Sequence, residues 1–148
     1  MKRCVCLMMA VLLLVCGCAK ADEEKKAVCK VTTEGVSDEM TIEALNDTVL
    51  TTKSVMKLPF SMYGLLTEDE KTQFAEQMMD KFAVVEGIKV SYESTEDVFI
   101  LTLEVDYSMA AKENLLDLGV IVEEDLDVDY ISFEKTVEGL KLSGYTCE

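Results

Sequence analysis

Five carboxylates that could take part in chemistry fall within seven positions near the end of the chain: Glu123, Glu124, Asp125, Asp127 and Asp129. Asp-x-Asp-x-Asp can begin a calcium-binding loop, because hard divalent cations take oxygen ligands. The rest of such a loop is missing, since Tyr130 stands where glycine is needed and Thr136 where a bidentate glutamate is needed. The pattern leaves a weak divalent-ion site at Asp125, Asp127 and Asp129 open, and it favours a solvated acidic loop.

A second pair of carboxylates, Glu104 and Asp106, is spaced to lie on one side of a strand. Glycoside hydrolysis uses two carboxylates, but no tryptophan is present to form an aromatic platform beside this pair. The chain also has no histidine, which excludes Ser-His-Asp triads and His-containing zinc sites. We therefore expect no enzymatic activity and no cofactor.

The charge balance of the chain narrows the range of partners. Its 148 residues, enough for one domain, hold 14 Lys and Arg against 29 Asp and Glu, for a net charge of -15. Nucleic-acid backbones are bound by basic stripes, and anionic lipid headgroups repel acidic surfaces. The sequence thus predicts neither a nucleic-acid partner nor electrostatic binding to an anionic bilayer.

The N-terminal segment has the pattern of a secretory signal. Two basic residues precede an uncharged run over 4–15, which is too short for a permanent membrane-spanning helix of about 20 residues. The following VCGC (residues 15–18) resembles the lipobox of bacterial lipoproteins, whose last cysteine receives a diacylglyceryl group. Cys16 competes as acceptor, although it puts the bulky Val15 where the peptidase needs a small residue. The prediction is a signal peptide over 1–17 and lipidation at Cys18, with an ordinary secreted protein or an uncleaved amphiphile as the alternative.

Residues 18–26 are expected to form the lipidated cysteine and a charged tether. Ala19 to Lys26 has no apolar residue larger than alanine and has five charges in its last five positions, which is typical of a solvated segment. Two acyl chains on Cys18 give stable anchoring in a membrane. We therefore expect residues 27–148 to be a monomeric domain held at the extracytoplasmic face of the cell membrane.

Two cysteines remain in the domain, Cys29 near its beginning and Cys147 near its end. Outside the cytoplasm such a pair is more often a disulfide than two free thiols. A redox-active pair is the alternative, but no Cys-x-x-Cys spacing supports it. The sequence predicts a structural disulfide that contributes roughly 4 to 5 kcal/mol by constraining the unfolded chain.

The domain is expected to begin with three extended segments, in which apolar residues alternate with charged or hydroxyl residues: Ala27 to Glu34, Asp38 to Leu45 and Thr48 to Lys57. Pro59 ends this part, before a loop that carries Phe60, Met62 and Tyr63. A hairpin follows over Gly87 to Tyr92 and Val98 to Tyr107. Its second strand has an apolar side, so we expect that strand inside the sheet.

Three helices are predicted. Thr67 and Glu70 form a capping box before a helix that runs to about Val84 and carries an apolar stripe. Ser108 is expected to cap a short helix that stops at Gly119, and Ser132 a last helix that ends at Gly144. The fold class is α+β: an antiparallel sheet of about five strands with helices packed on one face, in a single compact domain.

Several of these segments together resemble a known family. The lipobox, the tether, GIKVSYESTEDVFILTLEVDY (residues 87–107) and ISFEKTVEGLKLSGYTC (residues 131–147) are similar to the YehR-like lipoproteins, a bacterial family of uncharacterised function. The resemblance covers roughly Ala27 to Cys147. It implies a compact α+β lipoprotein domain with no catalytic residues to carry over. The pair Cys29 and Cys147 resembles Gram-positive members, which implies a Gram-positive surface.

Two classes of function stay open. The first is a non-enzymatic interaction module at the cell envelope, which presents a sheet face to an envelope protein. The second is a small-ligand or divalent-ion receptor associated with a transporter, with a pocket lined by Met56, Phe60, Met62 and Tyr63. The mature chain is too small for a two-lobed binder, which favours the first class. An exposed apolar patch would support the first class, and a deep pocket with convergent polar groups the second.

Overall fold

The computed structural model describes residues 21–65, 67–82 and 85–148, so the predicted signal peptide and Cys18 lie outside the described residues. The strands are β1 (Glu24–Thr33), β2 (Val36–Leu45), β3 (Thr48–Pro59), β4 (Ile88–Ser94), β5 (Val98–Asp106) and β6 (Thr146–Cys147). The α-helices are α1 (Glu68–Phe82), α2 (Lys112–Asp117) and α3 (Phe133–Leu142), with short 3-10 turns at Phe60–Tyr63 and Glu123–Asp125. Among the described residues, none of the helices combines the length and the hydrophobicity of a membrane-spanning segment.

The strands form one antiparallel sheet in the order β4-β5-β3-β2-β1-β6, which confirms the α+β fold class with one strand more than expected. The extra strand is β6, which pairs with Cys29 and Lys30 of β1. Two residues are too few to show an alternation in the sequence. β1 also begins at Glu24, three residues earlier than predicted, because Lys26 pairs with Glu43 of β2 instead of belonging to a solvated tether.

Two of the three predicted helix caps are confirmed. At α1 the Glu70 amide donates to Thr67 Oγ1 (3.3 Å) and the Thr67 amide donates to the Glu70 carboxylate (2.9 Å). At α3 the Ser132 hydroxyl accepts from the amide of Lys135 (3.3 Å). The prediction for Ser108 was wrong, because its amide and hydroxyl both donate back to the preceding strand end at Asp106 and α2 begins only at Lys112.

All three helices pack on one face of the sheet, which we call the covered face. Beneath α1, Phe99 and Leu101 of β5 are fully buried in one cluster with Ala75 and Phe82. Phe74 meets Phe99 edge to face at 5.3 Å between ring centroids, so the predicted apolar stripe of α1 does lie on the sheet. A smaller cluster beneath α2 contains the other end of β5.

A separate cluster lies beneath α3, where Ala27, Cys29 and Ile42 are buried against the apolar side of that helix. Here the Cys29–Cys147 disulfide joins residues 118 positions apart and ties β6 to β1, which confirms the predicted pairing. The bond is therefore part of the core, and it holds the C-terminal segment against the strand that follows the tether.

A polar seam of buried Asp38, Thr52 and Ser54 side chains runs along β2 and β3 on the covered face. The Ser54 hydroxyl donates to one carboxylate oxygen of Asp38 (2.6 Å), and the Tyr145 hydroxyl donates to the other (2.7 Å). Burial and the neighbouring Asp38 raise the pKa of Tyr145 to about 12. Thr52 shares a hydrogen bond with Tyr107 (3.5 Å), whose pKa burial also raises. These bonds satisfy the buried polar groups that the sheet would otherwise leave under the helices.

Candidate functional site

The sheet face that no described helix covers, which we call the open face, carries the polar positions that alternate with the core residues along each strand. These positions are mostly lysine, glutamate and threonine. They include Lys26, Lys30, Glu39, Thr41, Glu43, Thr51, Lys53, Lys57, Lys89, Thr102, Glu104 and Asp106. The open face thus balances lysines with carboxylates, and the surplus negative charge of the chain lies elsewhere.

Cross-strand ion pairs organise the open face. Three lysines contact the carboxylate directly opposite them in the strand register, at N–O distances of 2.8 to 3.0 Å: Lys26–Glu43, Lys30–Glu39 and Lys53–Glu104. The lysine hydrogen bonds lower the pKa of Glu43 and of Glu104. Lys57 and Lys89 make no ion pair with any other residue that the structure describes. These two lysines thus lie outside the ordered set of pairs, and Lys89 still contributes to the lowered pKa of Glu104 and of Asp106.

A cavity of about 620 Å³ lies on the open face at the end of the sheet where β1 begins. Two of the ion pairs, with the hydroxyls of Thr41 and Thr51, form its floor, and residues 85–89 with Met109 form its wall. Small-molecule sites typically have volumes of about 300 to 1,000 Å³. The lining offers ammonium, carboxylate and hydroxyl groups together, so the cavity can bind polar groups of either charge.

Gly87 holds the wall of this cavity in place. Its carbonyl accepts from the amide of Asp106 (2.8 Å), and its φ is +81°. A Cβ at this position would lie 2.5 Å from the amide nitrogen of Ala110, so only glycine allows the approach. Asp106 also accepts from the hydroxyl and the amide of Ser108, which lower its pKa. Backbone contacts thus fix the wall against the end of β5.

A smaller depression of about 240 Å³ lies at the opposite end of the open face. Its lining includes Lys30, Thr32, Ser37, Glu39 and Lys57. The two concave regions share the same chemistry and differ in their distance from the beginning of β1.

The β2–β3 turn at Asn46 and Asp47 lies at the same end of the sheet as the larger cavity. The Asn46 side chain accepts from the Glu23 amide (3.1 Å) and donates to the Asp22 carboxylate (3.2 Å), and the Asn46 amide donates to the Glu23 carbonyl (2.6 Å). Asp47 accepts from the Glu134 amide (3.0 Å) at the start of α3, which lowers the pKa of Asp47. The sequence places these two residues between the predicted segments that end at Leu45 and begin at Thr48, and it gives no sign of these contacts.

The carboxylates of the predicted ion site, Asp125, Asp127 and Asp129, do not converge in the described loop. The Asp125 carboxylate accepts a hydrogen bond from the backbone amide of Val122 (3.1 Å), at the start of its own 3-10 turn, while Asp127 and Asp129 are exposed. The ammonium of Lys112 instead donates to the carbonyls of Asp125 (2.8 Å) and Val128. No group of three acidic or cysteine side chains in the described residues is arranged to hold a metal ion. The cation that this loop encloses is a lysine side chain, so the ion-site hypothesis gains no support.

The predicted pocket residues have other surroundings. Phe60 is only 2% exposed and belongs to the core beneath α1, with Met56 packed beside it. Met62 and Tyr63 are about half exposed, and the Tyr63 ring packs on Phe74 at 4.8 Å between centroids. None of the four lines either concave region of the open face. They close the apolar core instead, because the 3-10 turn after Pro59 directs Phe60 beneath α1.

Glu104 and Asp106 share the open face, as predicted from their spacing. Each carboxylate is engaged, Glu104 by Lys53 (2.8 Å) and Asp106 by the Ser108 hydroxyl (2.6 Å). Both pKa values are lowered, whereas the general acid of a glycosidase needs a raised one. The pair is therefore suited to binding and not to proton donation.

This architecture defines a class of protein, a small α+β domain whose antiparallel sheet is covered by helices on one face and open on the other. The chain belongs to the family described as "Protein of unknown function (DUF1307)", which matches residues 26–146. The match extends from β1 to β6.

Two curated relatives come from Listeria. The chain is 29% identical over 140 residues to the "Uncharacterized lipoprotein Lin0239" of Listeria innocua, covering 94% of this chain and 88% of the relative. It is 25% identical over 139 residues to the "Uncharacterized lipoprotein Lmo0207" of Listeria monocytogenes, with the same shares covered. Both relatives are thus lipoproteins by name and match nearly the whole chain.

Two solved structures share the fold. The NMR structure of the E. coli YehR protein has a TM-score of 0.73 at 18% identity, covering 86% of this chain and 92% of that one. The NMR structure of a protein from Streptococcus pneumoniae TIGR4 has a TM-score of 0.58 at 15% identity, covering 88% of this chain and 87% of that one. The YehR-like resemblance is confirmed by the family match, the lipoprotein relatives and this fold.

Proposed function

We propose that this protein is a lipid-anchored lipoprotein at the extracytoplasmic face of the cell membrane, where it acts as a non-enzymatic interaction module. The lipoprotein relatives support the anchoring, and the Listeria origin of both supports a Gram-positive surface. Cys18, in the lipobox-like VCGC, is the proposed diacylglyceryl acceptor. The observation that carries the interaction role is the open face, a whole sheet face of ordered charges that no described helix covers.

A role in binding without catalysis is supported by the ionisation of the carboxylates on the open face. The pKa values of Glu43, Glu104 and Asp106 are all lowered by lysine or hydroxyl partners, so these groups stay ionised and hold fixed positions. A surface of fixed, alternating charges selects a partner by complementary charge, and it suppresses partners that place like charges opposite. We propose a protein of the cell envelope as that partner.

Site-directed photo-crosslinking in intact cells tests this proposal. A photo-crosslinking amino acid replaces Thr102 at the centre of the open face, and in a matched variant it replaces Gln77 on the exposed side of α1. We expect a discrete protein adduct from position 102 that is absent from position 77, and further loss of the adduct when Lys53→Glu is added. Equal adducts from the two positions, or none from position 102, would overturn the proposal.

A second candidate function, small-ligand binding in association with a transporter, is favoured by the 620 Å³ cavity with its convergent polar groups. The test is the native mass of the full-length lipoprotein extracted from its own membrane in mild detergent. A small retained mass that is lost on Gly87→Ala, which displaces the cavity wall, supports ligand binding. A bare lipoprotein mass overturns it.

A further inference from the structure

The anchor segment is fastened to the folded domain before the sheet begins. Asn46 makes three hydrogen bonds to Asp22 and Glu23, at 2.6, 3.1 and 3.2 Å, two through its side chain and one through its backbone. The turn conformation that allows them, with φ of +58°, is one that asparagine adopts more readily than most residues. Asn46 therefore acts as a clamp on the chain that leads to the proposed anchor.

This clamp shortens the part of the tether that can extend. Four peptide units separate Cys18 from Asp22, so the lipidated residue lies at most about 14 Å from the clamp. The tether of eight residues expected from the sequence would reach twice as far, about 28 Å. The clamped end of the sheet must therefore stay close to the bilayer in which the acyl chains are inserted.

The larger cavity lies at this clamped end. On β3 its residues Thr51 to Lys53 come three to five positions after the strand begins, which is about 10 to 17 Å along the sheet. The smaller depression includes Lys57, nine positions after the beginning of β3 and about 30 Å along it. Two concave regions of similar chemistry thus differ in their reach toward the membrane.

We infer that the Asn46 clamp holds the domain with its larger cavity next to the membrane, and that the partner of this cavity is an extracytoplasmic loop of a protein embedded in the same membrane. The inference rests on the proposed lipid anchor at Cys18 and on the proposed interaction role of the open face. It names the part of the open face that is used and the kind of partner that can reach it.

The charges of the clamped end favour a protein over the bilayer itself as the occupant. Asp22, Glu23, Glu24, Asp47 and Glu86 outnumber Lys25 and Lys26 at this end, and anionic headgroups would be repelled by the excess negative charge. The cavity itself is lined by lysines as well as carboxylates, so a polar loop that carries charges of both signs can pair with it, and the cavity offers that loop both hydrogen-bond donors and acceptors. The matching loop is therefore polar, carries charges of both signs and lies close to the membrane.

The orientation is tested with the full-length lipoprotein in vesicles of phosphatidylethanolamine and phosphatidylglycerol that contain an acceptor-labelled lipid. A fluorescent amino acid replaces either Lys89 or Lys57, two exposed lysines of the open face. Lys89 is level with Lys53 in the strand register, and Lys57 lies four residues further from the clamp along β3. We expect clearly higher energy transfer from position 89. Asn46→Gly should reduce that difference, and Glu34→Gly, the matched turn change at the far end with φ of +52°, should leave it unchanged. Equal transfer from both positions overturns the orientation.

The partner is tested by crosslinking from the same two positions in intact cells. We expect an adduct with a membrane-embedded protein that is about five-fold stronger from position 89 than from 57 and that falls when a twelve-residue Gly/Ser linker is inserted after Lys20. An adduct with phospholipid alone, or with a soluble extracytoplasmic protein, overturns the inferred partner. Strong protein adducts from both positions 89 and 57 that do not change with the linker overturn the inference and leave the proposed function unchanged. The absence of any adduct from the open face overturns both the inference and the proposed function.

Discussion

The covered face and the open face are formed by alternate residues of the same strands, and their side chains differ in chemistry. Along β5, Phe99 and Leu101 point beneath α1 and are fully buried, while Thr102 and Glu104 point to the open face. Burial of large apolar side chains contributes several times more free energy than an exposed ion pair. The fold therefore depends on the covered face, and the order of charges on the open face is available for binding.

The largest expected effect on the covered side is loss of the disulfide. Replacing Cys29 and Cys147 together by alanine should lower the free energy of unfolding by roughly 5 kcal/mol, because the unfolded chain regains the freedom of a 118-residue loop. Guanidinium unfolding followed by circular dichroism measures the change, and wild-type protein in strong reductant is the control. A decrease in the free energy of unfolding of less than about 1 kcal/mol would show that the disulfide contributes little to the stability of the covered face.

Neighbouring residues of β5 compare the two faces most directly. Leu101→Ala should cost about 3 kcal/mol, because it leaves a cavity beneath α1, whereas Thr102→Ala on the open face should change stability by less than about 0.5 kcal/mol. Urea unfolding of both variants gives the comparison. Similar losses from the two variants would remove the distinction between a structural and an available face.

A pair of glycines isolates the contact that joins the cavity wall to β5. Gly87→Ala should cost about 3 kcal/mol, because it adds a clash with the Ala110 backbone to the strain of a positive φ. Gly64→Ala is the control, since its φ is +68° but an added Cβ meets no atom within 4 Å, and strain alone should cost about 1 kcal/mol. Thermal unfolding should rank the two variants in this order, and equal melting temperatures would contradict the close approach.

The polar seam predicts a smaller loss with a pH signature. Tyr145→Phe leaves the buried Asp38 carboxylate with one donor and should cost about 1 to 2 kcal/mol near neutral pH. Because folding raises the pKa of Tyr145 from 10.0 to about 12, its contribution is complete below pH 10 and is lost as pH rises toward 12. The stability difference between wild type and variant should shrink across that window. Tyr130→Phe, at an exposed tyrosine, is the control and should change stability by less than about 0.5 kcal/mol near neutral pH.

The smallest effect is expected on the open face itself. Lys53→Met removes the partner of Glu104 and should cost less than about 1 kcal/mol, because the pair is exposed. The lowered pKa of Glu104 should return toward its ordinary value in an NMR titration, and the stability difference should vanish as pH falls and Glu104 is protonated. A cost above about 2 kcal/mol would mean that the open face is structural after all.

Features whose sequence signal lies within one short segment could be predicted from the sequence. The alternation of apolar with charged or hydroxyl residues between Asp38 and Leu45 identified β2, and the capping box at Thr67 and Glu70 identified the start of α1, because both signals lie within one element. The disulfide followed from the number of cysteines that remain in the domain. These local signals also suffice for the α+β class and for helices on one face.

Features that depend on distant partners could not be predicted in this way. The Asn46 clamp joins residues more than twenty positions apart, and the acidic loop is held by Lys112 through backbone carbonyls that no side-chain pattern reveals. The order of the strands decides that Glu104 meets Lys53, and thus decides the floor of the cavity. For the same reason the predicted pocket around Phe60 became part of the core.

The path from the tether through β1 also has a mechanical consequence. A pull on the proposed anchor would enter the fold at Asp22, reach the Asn46 clamp and then run along β1, whose hydrogen bonds to β2 lie across the direction of the force. Force along a strand loads all of these bonds together instead of opening them one by one. At Cys29 the load also reaches a covalent crosslink to the C-terminal strand. A partner that exerts force on the domain would therefore load β1, the strand that is bonded to β2 on one edge and to β6 on the other.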